Sequence, residues 1–600
     1  MKKVITLLCL AILCTACKKE KETPVTDSAM KTEKMSFDTV LDNYYQQTLK
    51  MYPMNATSAG DNRYNDQFTN VLTDEFKAKE KSFYTDYKQK MTDYKDEDLS
   101  KSELLSKKIL IWESDINLDR LKFREDYKPI NQMWTSQLII GQYASGSSAQ
   151  PFKTLEDYQN WIKRLDGYLD WMNSAQTRME EGIKAGDVLP SSLIKKVLPQ
   201  LQAMTNSNIE EHLFYSPIKN FPDSFSDKDK EELTNQYKTY IKDRIIPAYS
   251  KLYQYMSTDY LKAGRSTSGI AAIPDGDAYY QHQIKLYTTT DMTADEIHQL
   301  GLSEVSRILK EMEKVKVQVG FKGDLISFFN YVRNKKELMP FTTPQQIIDH
   351  FNKIHETMQP QLDQLFDIKP KTPFEVKQTE AFRAASASAE YNPGSLDGTR
   401  PGIFYVPIVD AKKYNIFSDE SLFLHEAIPG HHYQISLQQE NKDLPDFRKT
   451  LWYSAYGEGW ALYSESLGKE LGLYTDPYQY FGMLSAEMHR AIRLVVDTGL
   501  HSKSWTREQA IKYSLENEAE SEEGITAEIE RYMANPGQAL SYKIGQLKIR
   551  QLRAKAEKEL GDKFNIGKFH DQVLESGCLP LELLEQKIDT WITTVKDNGK

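Results

Sequence analysis

Three of the chain's 11 histidines stand beside a glutamate in the run His425-Glu426-Ala427-Ile428-Pro429-Gly430-His431-His432. Further on, Gly457-Glu458-Gly459-Trp460-Ala461-Leu462-Tyr463-Ser464-Glu465 adds two carboxylates. Two imidazoles and a later carboxylate make the ligand set of a catalytic zinc site with one position left open for water. Glu426, next to the first histidine, would be the base that takes a proton from that water. A closed structural zinc site would draw on several cysteines, and the exported chain keeps almost none.

The spacing departs from His-Glu-x-x-His, in which histidines four apart share one helix face. Pro429 occupies the second histidine's place. On an undistorted helix His431 rotates off the face, and His432 returns to it about 10 Å further along the axis. Pro429-Gly430 would supply a bulge that absorbs the extra residues and brings a later histidine back toward His425. His431 is the preferred second ligand, because Gly430-His431 matches the end of many His-Glu-x-Gly-His sites. His432 would then lie behind the site or face substrate. Glu458 is the first choice of carboxylate ligand. Glu465, two turns on along nearly the same face, would orient a histidine from behind or be the ligand itself.

Amide hydrolysis builds negative charge on the carbonyl oxygen, so a donor opposite the metal is expected. Tyr542, after Pro536-Gly537-Gln538 at a helix start, is the first candidate and Tyr532 the second, although 35 tyrosines make packing roles equally available. Arg490 and Arg493 would hold a substrate carboxylate, as a carboxypeptidase requires, or form surface ion pairs. Asp497 and His501 are four apart and share a helix face, which suits a pair behind the ligands or a substrate contact.

The elements that must position these groups read mostly as helix. Leu105, Ile109, Trp112 and Ile116 make an apolar stripe at helical spacing. Thr293 with Glu296, Thr343-Pro344 with Gln346, and Thr506 with Gln509 read as capping boxes. Tyr158 to Lys184 and Asp229 to Tyr255 read as long amphipathic helices. The exception is Tyr391 to Asp410, punctuated by Asn392-Pro393-Gly394 and Gly398-Thr399-Arg400-Pro401-Gly402. Ile403 to Val409 then reads as a short strand, which Pro407 would place at an edge or break. Such an edge could pair with an extended peptide or simply pack. Ser418 would cap the helix of His425, with Asp419 and Glu420 in its first turn.

The run His425 to Gln434, together with Gly457-Glu458-Gly459-Trp460-Ala461-Leu462-Tyr463, resembles the bacterial lipoproteins of domain-of-unknown-function family 885. Arg490 to His501 and Arg531 to Tyr542 are similar to that family too. The resemblance covers most of the exported chain and is most specific from about 385 to 545. The family is grouped with the helical gluzincin zinc metallopeptidases. This implies a mainly α, large gluzincin-like fold with a small edge-strand element beside the metal helix, and a deep cleft that favours short peptides.

Lys2 and Lys3 followed by the apolar run Val4 to Leu13 form a bacterial export signal, too short for a permanent membrane span. Thr15-Ala16-Cys17 resembles the end of a lipobox, with residues 1–16 removed and Cys17 lipidated. Residues 17–36 read as a polar tether and 37–600 as one helical metallopeptidase-like domain. After cleavage Cys17 and Cys578 remain, so lipidation of Cys17 leaves no intramolecular disulfide. The formal charge of −10 and the lack of a basic stripe speak against nucleic acid. The expectation is an exported, envelope-anchored zinc peptidase. His425, His431 and Glu458 hold one Zn²⁺, Glu426 is the base, Tyr542 is the oxyanion donor, and a peptide is the substrate. The membrane is met through the lipid alone. The rival readings are a peptide-binding lipoprotein with a non-catalytic metal site and a zinc hydrolase of cell-wall peptides.

Overall fold

Short polar signals set where the helices begin. Thr293, Thr343 and Thr506 each form a capping box with Glu296, Gln346 and Gln509, starting helices at Ala294, Pro344 and Arg507. The Leu105–Ile116 stripe lies on the helix Lys101–Arg120, with Ile109 and Ile116 buried. Tyr158 to Lys184 falls within the helix Leu155–Ala185. Asp229 to Tyr255 is helical throughout, with a π-turn at Ile241–Ile245 just before Pro247. These features come from a computed structural model that describes residues 35–380, 388–395 and 400–597. The export signal and Cys17 lie outside the described residues.

The molecule is mainly helical. Among the described residues the strands form one small sheet in the order β1 (Phe374–Gln378), β3 (Gly402–Val406), β2 (Glu390–Asn392). β1 runs parallel to β3, and β2 antiparallel to it. The strand expected at an edge is therefore the central one. Its residues are almost all buried, because neighbours cover both sides and a helix covers one face. Pro407 follows the strand's last residue and interrupts nothing. The edge beside the site belongs to β2. Phe351, on the helix Pro344–Leu365, meets Phe404 of β3 edge-to-face. Phe423 packs on both Phe374 and Phe404, so the sheet fixes the helix that carries His425.

The buried apolar side chains form two clusters. The smaller draws on residues between Leu72 and Tyr260 and is rich in aromatic rings such as Trp161, Tyr168 and Trp171. The larger joins the first helix, Phe37–Met51, to the carboxyl-terminal helices. Among the described residues six helices of this larger body carry the site: α1 (Asp419–Glu426), α2 (His431–Glu440), α3 (Ser454–Glu465), α4 (Pro477–Ser502), α5 (Glu522–Ala534) and α6 (Ser541–Leu560).

Two contacts set how these helices cross. A Cβ on Gly459 of α3 would lie 2.5 Å from the Cα of Gly545 on α6, so the two backbones touch where only glycine fits. Lys543 of α6, fully buried, donates to Glu487 of α4 at 2.7 Å and meets Glu304 at 2.9 Å. Arg307 bridges the same two carboxylates. Each ion has an opposite partner, which a charge buried at this depth requires. No helix among the described residues is long and apolar enough to cross a membrane.

Candidate metal centre

Three donors converge from three helices. His425 ends α1, His431 begins α2 and Glu458 lies in the first turns of α3. Glu458 Oε2 is 3.6 Å from His425 Nε2 and 3.4 Å from His431 Nε2. These gaps are long for hydrogen bonds. They suit two ligands on one tetrahedral ion, since donors ~2.0–2.1 Å from zinc sit ~3.4 Å from each other. All three donor atoms lie within 4.8 Å of one another. Burial alone would depress the His425 imidazole, but Glu458 and Glu465 outweigh it and push it up to about 9. Burial would raise the Glu458 carboxyl, yet the two histidines hold it well below the usual carboxylate range. The cluster thus favours positive charge at its centre, and a metal cation would meet that demand.

The extra residues between the histidines are not absorbed by a bulge, contrary to the sequence expectation. α1 stops at Glu426, and Ala427 leaves helical geometry at φ −106°, ψ −106°. The Ile428–Pro429 bond is cis, and α2 starts afresh at His431. Gly430 is required in the turn, because a Cβ there would lie 1.9 Å from the carbonyl oxygen of His425. Trp460 Nε1 donates to the Pro429 carbonyl at 2.8 Å, so the helix bearing Glu458 also pins the connection between the histidines. Ser418 stands before α1 without capping it. Asp419 instead accepts from Tyr414, and Glu420 from the backbone N–H of Tyr474.

Glu465 lies behind His425. Its Oε1 is 2.7 Å from His425 Nδ1, and its Oε2 accepts from Ser421 Oγ at 2.6 Å. A proton on Nδ1 leaves Nε2 as the free donor toward the cluster. Glu465 is 2% exposed, and its bond to Nδ1, the His425 nitrogen facing away from Glu458, fits the orienting role and not that of ligand. His432 points elsewhere. Its Nδ1 is 2.9 Å from Tyr391 Oη of β2, its ring packs on Phe374, and burial lowers it to about 4. It supports the sheet, and His431 is the histidine that joins the cluster.

A cavity of about 520 Å³ opens on the centre, lined by His425, Glu426, His431, Glu458, Arg490, Arg493 and Tyr542 among others. Glu426 makes no hydrogen bond or ion pair among the described residues. Burial raises its carboxyl above the usual range, against the pull of His425, His431 and Arg490. An unpaired carboxylate with raised proton affinity suits a general base. Tyr542 receives one weak contact, from Arg531 at 3.5 Å, and its ring carries the Arg493 guanidinium 4.5 Å from its centroid.

Three further sequence candidates, like His432 and Glu465, lie away from this cavity's lining. Asp497 accepts from Tyr280 Oη at 2.5 Å and from the Gly537 N–H at 3.1 Å. His501 accepts from the Ile270 N–H and contacts the Tyr532 carbonyl. The two share a face as their spacing requires, but that face is packed protein and they do not pair with each other. Tyr532 receives Arg493 Nε at 3.0 Å and donates to Glu528 at 2.7 Å, so it supports an arginine and is no oxyanion donor. Conversely, His489, Arg531, Glu528, Tyr391 and Trp452 line the cavity unforeseen. Glu528 and Arg531 are three apart on α5 and pair with each other, a spacing that by itself does not set them apart from an ordinary helix-surface pair. His489 had one available signal, its place next to Arg490.

A family model described as "Bacterial protein of unknown function (DUF885)" matches residues 53–588. The structure is similar to that of "the putative lipoprotein from Colwellia psychrerythraea", with a TM-score of 0.85 at 28% identity over 93% of this chain and 99% of that one. It is also similar to that of "a putative lipoprotein of unknown function from Shewanella oneidensis", with a TM-score of 0.73 at 17% identity over 92% and 99%. The second likeness bears on the fold alone. No match to the chain was found among curated proteins.

Proposed function

The chain belongs to the DUF885 family of bacterial proteins of unknown function, so its chemistry must be argued from the centre itself, and we propose that it is a zinc-dependent peptidase. The observation that carries the reading is the convergence of His425, His431 and Glu458 at ligand spacing in a cavity that also holds the unpaired Glu426. A bound zinc ion would supply Lewis acidity for the scissile carbonyl and acidify a water. Glu426 is placed to take a proton from the attacking water and to return it to the leaving amine. Tyr542 donates its phenolic hydrogen to the oxygen on which charge develops. Glu465 keeps the His425 ring in place while this happens. The helical gluzincin likeness stays part of this reading.

Two further elements belong to the proposal. The export signal of residues 1–16 with Cys17 directly after it, together with the likeness to proteins called putative lipoproteins, supports a lipid-anchored protein of the cell envelope. The outer edge of β2, which pairs with no further strand among the described residues and whose Tyr391 lines the cavity, supports an extended peptide as substrate. The test is cleavage of a peptide library by zinc-loaded wild type and Glu426→Gln. Wild type should cleave, and the variant should lose at least ~10²-fold in kcat, the scale of general-base catalysis, while still binding zinc. Equal rates would remove Glu426 from its role. Zinc binding with no cleavage of any peptide would favour a binding lipoprotein.

A further inference from the structure

Three arginines, Arg490, Arg493 and Arg531, line the cavity beside the centre, and each keeps a buried guanidinium N–H without an acceptor among the described residues. Arg493 is 5% exposed. Its Nε donates to Tyr532 and its Nη2 to Glu528, but its Nη1 has no partner among the described residues. The Nε atoms of Arg490 and Arg531 are buried without a partner as well. Glu528 is shared among Arg493, Arg531 and His489. Glu518 pairs with His489 at 2.5 Å. Arg490 bonds to the Ala486 carbonyl of its own helix and to no carboxylate among the described residues. Glu390, Glu426 and Glu520 also face the cavity, but no ion pair joins Glu426 or Glu520 to an arginine among the described residues, and burial raises the Glu520 carboxyl above the usual range, which weakens it as a counter-ion. A buried guanidinium lacking acceptors is costly, so the arginine end of the cavity is made for an anion.

The rest of the space gives that anion a direction. A second cavity, of about 1150 Å³, adjoins the first at Trp452, which lines both. Its lining includes Tyr84, Trp134, Phe447 and Leu451. The β2 segment borders both spaces, with Tyr391 in the smaller and Pro393 to Ser395 in the larger. The smaller cavity, at about 520 Å³, is within the ~300–1,000 Å³ of small-ligand pockets, so it has room for the last residues of a chain.

We propose that the site grips a peptide by its free carboxyl-terminal carboxylate, at Arg490 with Arg493 and Arg531. The amino-terminal part of the peptide then extends past Trp452 into the larger cavity. Given the peptidase reading, on which only the hydrolytic half of this inference rests, cleavage releases the carboxyl-terminal end. The C–N bond breaks, the oxygen of water joins the acyl carbon, and a hydrogen of water goes to the leaving nitrogen.

The test is calorimetric binding to the full exported chain carrying Glu426→Gln, which separates binding from turnover. The probes are an acetylated peptide ending in a free carboxylate and the same peptide ending in an amide. The acid should bind ~10–100-fold more tightly, the scale of charge-assisted hydrogen bonds. Adding Arg490→Gln should erase the preference, with unchanged circular dichroism as the check on folding. The acid–amide comparison itself needs no altered arginine. Equal affinity for the two peptides, binding of neither, or a preference that survives Arg490→Gln overturns the assignment. Acid-selective binding with no cleavage by zinc-loaded wild type keeps the grip and removes the peptidase reading.

Discussion

Removing the Glu465 carboxylate should loosen the metal centre without touching a ligand. Glu465 holds His425 Nδ1 at 2.7 Å and Ser421 Oγ at 2.6 Å. Loss of the outer partner of a metal-binding histidine typically costs ~10–100-fold in metal affinity, or ~1.4–2.8 kcal/mol. Glu465→Ala should reach the upper part of that range, because it also strands the buried Nδ1–H of His425 at ~1–3 kcal/mol. Glu465→Gln keeps the shape and one acceptor oxygen but loses the charge. Charge-assisted bonds are about twice as strong as neutral ones, so its loss should be nearer tenfold. Ser421→Ala leaves the His425 bond in place and should cost ~1 kcal/mol of stability with little change in affinity. Zinc titration in competition with a chromogenic chelator, beside thermal melts, reads out the series. A folded Glu465→Ala protein with wild-type zinc affinity would refute the claim that this carboxylate positions His425.

Other perturbations probe the frame. Gly430→Ala drives a Cβ into the His425 carbonyl and should displace His431. Zinc binding should fall in a chain that remains helical by circular dichroism. Lys543→Met leaves Glu487 and Glu304 short of a buried cation and should destabilise by ~3–5 kcal/mol, read by denaturant unfolding. Asp497 gives a pH signature. Burial, offset in part by Tyr280 and Gly537, pushes its carboxyl up from 3.8 to about 7. The folded chain therefore binds this proton more tightly than the unfolded chain, and stability falls as pH rises from 3.8 to about 7, then levels. The fall from this group is at most ~4 kcal/mol, and Asp497→Asn should flatten it. Identical pH profiles of stability for the two proteins would contradict the assignment.

Much of the helical frame was legible because its signals are local. Thr293, Thr343 and Thr506 announce their helices within four residues. Residue type alone drew attention to His425, His431 and Glu458. The path between the histidines was not legible, since Pro429-Gly430 suits both a bulge and a full break. Trp460, pinning the Pro429 carbonyl from another helix, is part of the arrangement that accompanies the break. The strand at Gly402–Val406 looked like an edge because its partners, Phe374–Gln378 and Glu390–Asn392, are set by pairing across the chain. Asp497 and His501 misled for a different reason. The second half of α4 is buried on every side, so spacing shows that they share a face but not which face meets the cavity. Arg531 and Glu528 have a three-residue spacing common to helix-surface pairs, which gives no sign that both line the cavity.

The central claim is that one metal ion is held by His425, His431 and Glu458. Metal analysis of the chain beginning after Cys17, purified without chelator, tests it most directly when wild type, His431→Ala and His432→Ala are measured together. About one zinc per chain is expected in wild type and in His432→Ala, and almost none in His431→Ala. Wild type that takes up no zinc when zinc is offered, or zinc lost in His432→Ala and kept in His431→Ala, would contradict it.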